Sequence, residues 1–597
     1  MSSPPYLSKS LLRTSYIPSD CAVQAHKLLE QGSCRLGSVE TEISRLRALI
    51  SKLSSEKQET IKFIDNHREM LSPFNKLPRD LVEEVFYHCL PVAYNAVINI
   101  HEAPLLLGRV CTQWRRVSYT CPRLWTTIHI VGSDPDSSTN SRQDKAKLET
   151  ISCWLARSGV SPLHISFYYN SPPSGWYNAS AIDREILPEL NVIASHSRRW
   201  RAIDLRFRRA NQWIFDFLLR LHSSEVPLLR TFRLRVDLDT EYAEYKAPNI
   251  FLENNILDTP NLRCLGLSAN AVIRPKVRIR WQNLTTIELT YRRVTFQPEV
   301  FAQLLAQCPI LESCTISIDW SSEQWGTSLS QPQSSTLMIT LPRLMSFSLR
   351  VHRRVEEVIP QLFDIISSPT LKHFALELGC SRQGYPVHVE WTLLHCLHRF
   401  LERSTGKLEE VDLQLYDPPG PLLLKILRGL PASIKRLKLL LWTRVDDPQS
   451  GPQYLDDALL KNFIPGGRSE SQDENQDSEL SALTESQVLF PNLEVIQLEE
   501  VDLSQKTIVD FLKSRSVLCG QNGVARLRRA TILITDTKAL NEDQILNMDL
   551  QWGSELEEIE RQTNLQASVQ YPVLRPTSPP VDSNPTGLEI NRHQFFF

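Results

Sequence analysis

Apolar residues recur along this chain in two alternating periods. Over 298–308, 355–366, 391–402 and 507–514 they fall three and four residues apart, which predicts helices. Between such stretches an apolar anchor is followed by apolar residues three and five positions later, the mark of a strand with one buried face. Anchors stand at Trp200, Leu229, Leu262, Leu284, Leu311, Leu344, Leu371, Leu408, Ile434, Leu493 and Leu527. Leu262-x-x-Leu265-x-Leu267 and Leu344-x-x-Phe347-x-Leu349 are representative. A second marker separates this pattern from chance. Pro227, Pro260, Pro309, Pro342, Pro369 and Pro491 each stand two residues before an anchor. With 37 prolines in 597 residues, eleven anchors would collect fewer than one by accident. Proline there is expected to end the preceding helix and enter the strand without needing a ladder donor.

Leu262, Leu284, Leu311, Leu344 and Leu371 are separated by 22, 27, 33 and 27 residues. Strand plus helix at this period resembles a leucine-rich-repeat solenoid. The Asn of the standard motif is missing after most strands, so the repeats are degenerate. The expected fold class is therefore α/β: an N-terminal helical module, then an irregular leucine-rich-repeat-like α/β solenoid over 146–545 with short parallel strands on its inner face. The interval from Ile434 to Leu493 is twice the usual length and holds the acidic stretch 465–487, expected as a disordered insertion. Residues 546–597 are expected to be a largely disordered tail.

At the other end, residues 1–40 are punctuated by Ser and Pro and predict a mostly flexible segment with a short helix near Val23 to Leu29. Residues 41–71 predict a charged helix. Ile43, Leu46, Ile50 and Leu53 follow a/d spacing and Ile61 and Ile64 extend the stripe, while Lys57 and Thr60 interrupt the seam. Two outcomes stay open for it: dimerisation through 43–64 as a short coiled coil, or packing back on the segment that follows.

That segment, Leu77 to Ile130, is the most distinctive of the chain. Leu81, Val85 and Phe86 share a helical face, and Pro78 sits where a first-turn proline loses no hydrogen bond. Val110, Trp114 and Val117 repeat the pattern in a second amphipathic helix. The ordered set Leu77, Pro78, Asp80, Val110, Cys111 and Trp114, followed by Pro122, Leu124 and Trp125, resembles an F-box over residues 75–130. Asp80 stands where that family more often has Glu, and the stretch from Cys89 to Leu105 is longer than the compact family form. The mixture with degenerate repeats resembles the expanded F-box families of mushroom-forming (basidiomycete) fungi. A polar linker is expected at 131–145.

Composition narrows the classes. Sixty-six basic and 68 acidic residues give a net charge of −2, which argues against a general nucleic-acid or membrane-surface binder. The basic run Arg198 to Arg209 alternates with Ile203, Leu205 and Phe207, so it predicts a strand with a charged exposed face. No apolar run reaches signal-peptide or membrane-span length. The 12 cysteines contain no C-x-x-C pair, and several sit within apolar patterns. That usage fits a reducing compartment, cytoplasm or nucleus.

Candidate chemistry is sparse. No phosphate-binding Gly-rich loop, zincin motif or G-x-S-x-G elbow occurs. His395, Cys396 and His398 lie among Leu393, Leu394, Leu397 and Phe400, which favours helix packing over metal binding. No enzyme, catalytic residue, metal or cofactor is expected. The resemblance implies a substrate-recognition adaptor of an SCF-type ubiquitin ligase. Leu77, Pro78, Leu81, Val85, Phe86, Val110, Cys111 and Trp114 would meet the Skp-family linker protein, and through it cullin, while the repeats hold a target protein. The rival expectation is a ligase-independent scaffold whose helical hairpin caps the solenoid. The target is unspecified; Arg230, Arg233 and Arg235 come nearest to the arginine cluster that a phosphorylated target would need.

Overall fold

A computed structural model gives the arrangement of the chain. It describes residues 19–71 and, with interruptions, 73–570; the longest interruptions are 171–187, 238–254, 320–337, 466–487 and 535–554. Two compact units divide at Val85, Met1–Val85 and Phe86–Phe597. Among the described residues no helix is long and apolar enough to cross a membrane.

The first unit is dominated by helix α1, Ser19–Leu71, 53 residues long. The expected flexible segment is therefore helical from residue 19 onward. Pro18 and Pro73 bracket it and no proline lies between them, so nothing removes a ladder bond along its length. Gly32 and Gly37 argue for a break in the sequence, yet at about 1 kcal/mol each they are too cheap to end a helix of this length. Every residue from His26 to Asp65 is exposed. Helix α2, Arg79–His88, follows and crosses the unit boundary.

The second unit is built on one sheet of fourteen parallel strands whose order in the sheet is their order in the chain. They are β1 Thr127–Val131, β2 Leu163–Asn170, β3 Trp200–Arg208, β4 Thr231–Asp237, β5 Cys264–Ser268, β6 Thr286–Arg292 and β7 Ser313–Asp319. Then come β8 Ser346–His352, β9 His373–Gly379, β10 Glu410–Tyr416, β11 Arg436–Trp442, β12 Val495–Val501, β13 Arg529–Ile534 and β14 Gln566–Gln570. Ile339–Thr340 and Ile366–Ser367 form a separate parallel pair, so the helix predicted over 355–366 has already ended by Ile366.

All eleven predicted anchors are buried, and each precedes or opens a strand. The residues three positions on align across the sheet as one continuous row, from Ile203 through Phe232, Leu265 and Ile287 to Ile496 and Ala530. A second buried row runs two residues later, through Leu205, Leu234 and Leu267. A one-residue slip of any strand would turn both of its core side chains outward, which is what fixes this register. The marker prolines have a different role from the one expected. Each is the second residue of a turn closed by the anchor itself: Leu229, Leu262, Leu311, Leu344, Leu371 and Leu493 donate their N–H groups to the carbonyls of Val226, Thr259, Cys308, Leu341, Ser368 and Phe490. Proline suits that position because its fixed φ matches the turn.

Three strands carry no predicted anchor. In β1 the hexad is present as Trp125, Ile128 and Ile130, inside the segment assigned to the N-terminal module. In β2 a register shift at Leu163/His164 displaces the pattern by one residue. For β14 the sequence has Asn564 three residues before Ala567, where the anchor pattern would need an apolar residue, and Leu565 is buried. Residues 555–563 are helical and β14 pairs with β13, so the alternation of helix and strand extends to residue 570, within the segment expected to be a disordered tail. Likewise the expected linker 131–145 overlaps helix α3, Ser141–Arg157. The acidic insertion beyond Pro465, and the tail beyond Gln570, lie outside the described residues.

Helices pack on the core face. In α4, Pro298–Leu305, Phe301, Ala302 and Leu305 are buried at helical spacing. In α5, Trp391–Arg403, Phe400 packs its ring against Phe347, Phe363 and Phe374 at 5.8, 4.9 and 5.7 Å. The other sheet face is polar. Its central row passes through His129, Ser166, Asp204, Arg233, Gly266 and Glu288. The basic run is strand β3 as predicted, with Ile203, Leu205 and Phe207 buried and Arg206 half-buried on the other face.

Candidate partner-binding site

Of the residues expected to meet a partner, Leu77, Pro78, Leu81, Val85 and Val110 are exposed, Cys111 and Trp114 are half-buried, and Phe86 is buried. Helix α2 begins immediately after Pro78, whose carbonyl accepts hydrogen bonds from Leu81 and Val82 at 3.1 and 3.2 Å. Proline is thus tolerated here as the residue that caps the helix rather than within its first turn. Arg79 and Glu83 make an i,i+4 ion pair at 2.6 Å along the solvent side. Leu77, Leu81 and Val85 are 36%, 53% and 43% exposed, and Pro78 is exposed beside them. On helical spacing Pro78, Leu81 and Val85 lie in one stripe, whereas Val82 and Phe86, rotated further round, are buried. Pro78, Leu81 and Val85 thus form a short exposed apolar row, with Leu77 just before it.

In the second unit, Phe86 is fully buried and packs on Trp114 with ring centroids 4.8 Å apart. Phe86 is therefore a core residue of this unit. Trp114 lies on α6, the helix Thr112–Thr120, preceded by the short helix Leu107–Val110. Cys111 between them is extended, and its Sγ accepts the Trp114 N–H at 3.4 Å. Cysteine here acts as an N-cap, standing in for the usual hydroxyl or carboxylate. Arg115 Nε donates to the Gly108 carbonyl at 2.7 Å, and the Tyr119 ring lies 3.0 Å from where a Cβ on Gly108 would sit. These contacts lock the helix pair and leave Val110 56% exposed. Trp125 is fully buried, donates to the Ser118 carbonyl at 2.8 Å, and meets Trp154 edge-on at 4.9 Å. Arg157 covers the Tyr119 and Trp125 rings at 4.1 and 4.6 Å.

The long middle of the segment has a function of its own. Ala96 accepts the His129 N–H at 2.8 Å and Val97 pairs with His129, so these residues cover the open edge of β1. Asn95 Nδ2 donates to Ser166 Oγ at 3.0 Å, and His129 Nδ1 meets the same hydroxyl at 2.9 Å. Sequence reading did not find this contact. Its only signal was the run Ala96-Val97-Ile98, too short to distinguish a bridge from a loop.

Burial pushes the His129 imidazole down to about 4. The unfolded chain, with an ordinary His near 6.5, then binds more protons between those values. Stability contributed by neutral His129 is complete above pH 6.5 and is lost as pH falls towards 4, by about 3 kcal/mol. His164 and His196 are lowered in the same direction, first by burial. Urea unfolding at pH 7.5 and 4.5 should show the stability gap between wild type and His129→Gln narrowing by about 2 kcal/mol at the lower pH. An unchanged gap would mean that His129 is not held neutral in the fold.

The arginines considered for anion binding are largely committed elsewhere. Arg233 and Arg235 both reach Glu288, at 2.7 and 3.4 Å. Arg233 crosses β5 to do so, over Gly266, where a Cβ would lie 2.8 Å from its Cγ. Burial alone would raise the Glu288 carboxyl, but the Arg233 hydrogen bond and the arginine charges outweigh it and hold Glu288 below the usual range. Arg230 lies just before β4. Among the described residues no three His, Cys, Asp or Glu side chains converge as metal ligands. Cys396 is buried, and His398 faces Glu402 at 3.2 Å on the exposed side of α5.

No family model matches the chain, and no curated protein matches it.

Proposed function

We propose that this chain is the substrate-recognition adaptor of an SCF-type ubiquitin ligase. Residues 75–130 act as an F-box that docks on the Skp-family linker protein, and through it on cullin. The parallel-sheet unit acts as an irregular leucine-rich-repeat-like solenoid that holds a target protein. Catalysis then belongs to other subunits, and this chain contributes proximity. The reading rests on the exposed apolar row Leu77, Pro78, Leu81 and Val85, standing at the positions where the F-box resemblance implies contact with the linker. Val110 adds a further exposed apolar side chain. Cys111, Cys264, Cys308, Cys314 and Cys396 are free thiols, in keeping with the cytoplasm or nucleus.

One observation favours a second reading, a ligase-independent scaffold. Asn95, Ala96 and Val97 cap the first strand, as the end of a solenoid requires. The cap and the exposed row use different residues, so capping leaves the row unexplained, and the adaptor reading is preferred. The target surface on this account is the polar sheet face, whose arginine–glutamate pairing does not favour a phosphorylated target.

Titration of the full chain against a purified Skp-family linker protein tests the reading. Binding is expected, and Leu77→Ala with Pro78→Ala should weaken it at least about tenfold. Absence of binding by the wild type, or full binding by the double variant, favours the scaffold.

A further inference from the structure

The apolar seam of α1 is longer than its sequence pattern first indicates. Because the helix begins at Ser19, the a/d spacing set by Ile43 and Ile50 continues back through Leu29 and Leu36 and forward to Ile64. The intervening d positions carry Val39, Leu46 and Leu53. These eight side chains are 42% to 66% exposed, on a helix about 80 Å long. Isolated helices owe little stability to propensity alone, so a stripe of this length is a face lacking its cover.

Three features identify the cover as a second copy of this chain. First, on this phase Arg35 and Glu42 occupy g positions while Glu40 and Arg47 occupy the following e positions. In a parallel in-register pair, Arg35 of one copy faces Glu40 of the other and Glu42 faces Arg47, giving four attractive pairs by symmetry. Second, Ile at a with Leu at d, as in Ile43–Leu46 and Ile50–Leu53, is the combination that favours two parallel strands. Third, Lys57 falls at an a position, where one polar residue fixes register and discourages higher oligomers. Gly32 at d meets nothing within 4 Å of its Cβ position and leaves a narrow gap that a close partner can occupy.

We infer that α1 forms a parallel, in-register two-stranded coiled coil between two copies of this chain, spanning residues 29–64. This inference does not rest on the adaptor reading, and either can fail alone.

Mass photometry and sedimentation of the full chain at micromolar concentration should give a species of twice 68.5 kDa. Ile43→Asp with Ile50→Asp should weaken association at least about a hundredfold. The change lies on an exposed face, so the main thermal unfolding transition should not move. Glu40→Arg sets like charges against each other and should weaken association by about threefold to tenfold, and adding Arg35→Glu should restore it. Leu46→Cys should cross-link under oxidation far beyond the wild-type background, since Cys34 lies on the outer side of the helix. A monomeric wild type, a trimer, or Leu46→Cys that fails to cross-link would each overturn the inference.

Discussion

Trp125→Ala is expected to destabilise the second unit by about 3–5 kcal/mol, the range for removing a fully buried large aromatic side chain. Four interactions end at this indole. It packs edge-on against Trp154 and Tyr119 at 4.9 and 5.8 Å, lies under the Arg157 guanidinium, and donates to the Ser118 carbonyl. Ser118 is itself buried and lies in the last turn of α6, where carbonyls lack helical partners. Trp125→Ala therefore opens a cavity and also leaves a buried acceptor unmade. Trp125→Phe separates the two effects: it keeps most of the packing, and the lost hydrogen bond should cost about 1–2 kcal/mol. Urea midpoints of the two variants measure both quantities. A loss below about 1 kcal/mol for Trp125→Ala would contradict the burial described here.

That tryptophan also shows where the sequence was legible. Its spacing to Ile128 and Ile130 is the same anchor pattern that marks eleven other strands, yet it also closes the helical motif of residues 75–130, which hides the strand that follows. The register of the sheet was readable because two apolar side chains per strand, at a fixed offset from an anchor, leave one pairing that buries them all. Anchors were missed where β2 shifts register and where Asn564 replaces the apolar residue, both local departures that no periodicity reveals. The candidate site was half legible. Apolar periodicity found both helices, but it cannot say which side of an apolar stripe a protein keeps for itself, and so Phe86 and Leu81 looked alike. The edge cap at Ala96 and Val97 depends on backbone groups, which the side-chain pattern does not record.

On the proposed adaptor reading, Leu81→Asp with Val85→Asp is expected to weaken binding to the Skp-family linker by about a thousandfold or more. Each apolar side chain contributes roughly 1.5–3 kcal/mol when fully buried, and each new carboxylate would be buried without a partner. Together these exceed about 4 kcal/mol, three decades of affinity. Both side chains are exposed in the free chain, so the unfolding midpoint should stay within about 0.5 kcal/mol of wild type. Calorimetric titration alongside urea unfolding separates the two readouts. Lost binding together with lost stability would show that Leu81 and Val85 serve the fold. Phe86→Ala is the converse control: its first effect should be on stability, because the ring lies against Trp114.

The strand order of the sheet bears on how the molecule comes to exist. Within the large sheet every strand from β2 to β14 pairs with the strand of that sheet synthesised just before it. At roughly 5–20 residues per second, most strands follow their predecessor out of the ribosome within one to eight seconds. Local docking is far faster than that. Each newly emerged strand therefore finds its template already formed, and none must wait for sequence not yet translated. The sheet can be laid down in the direction of synthesis, with the bridge at Ala96 and Val97, the first part of it to leave the tunnel, as the surface on which the rest is started.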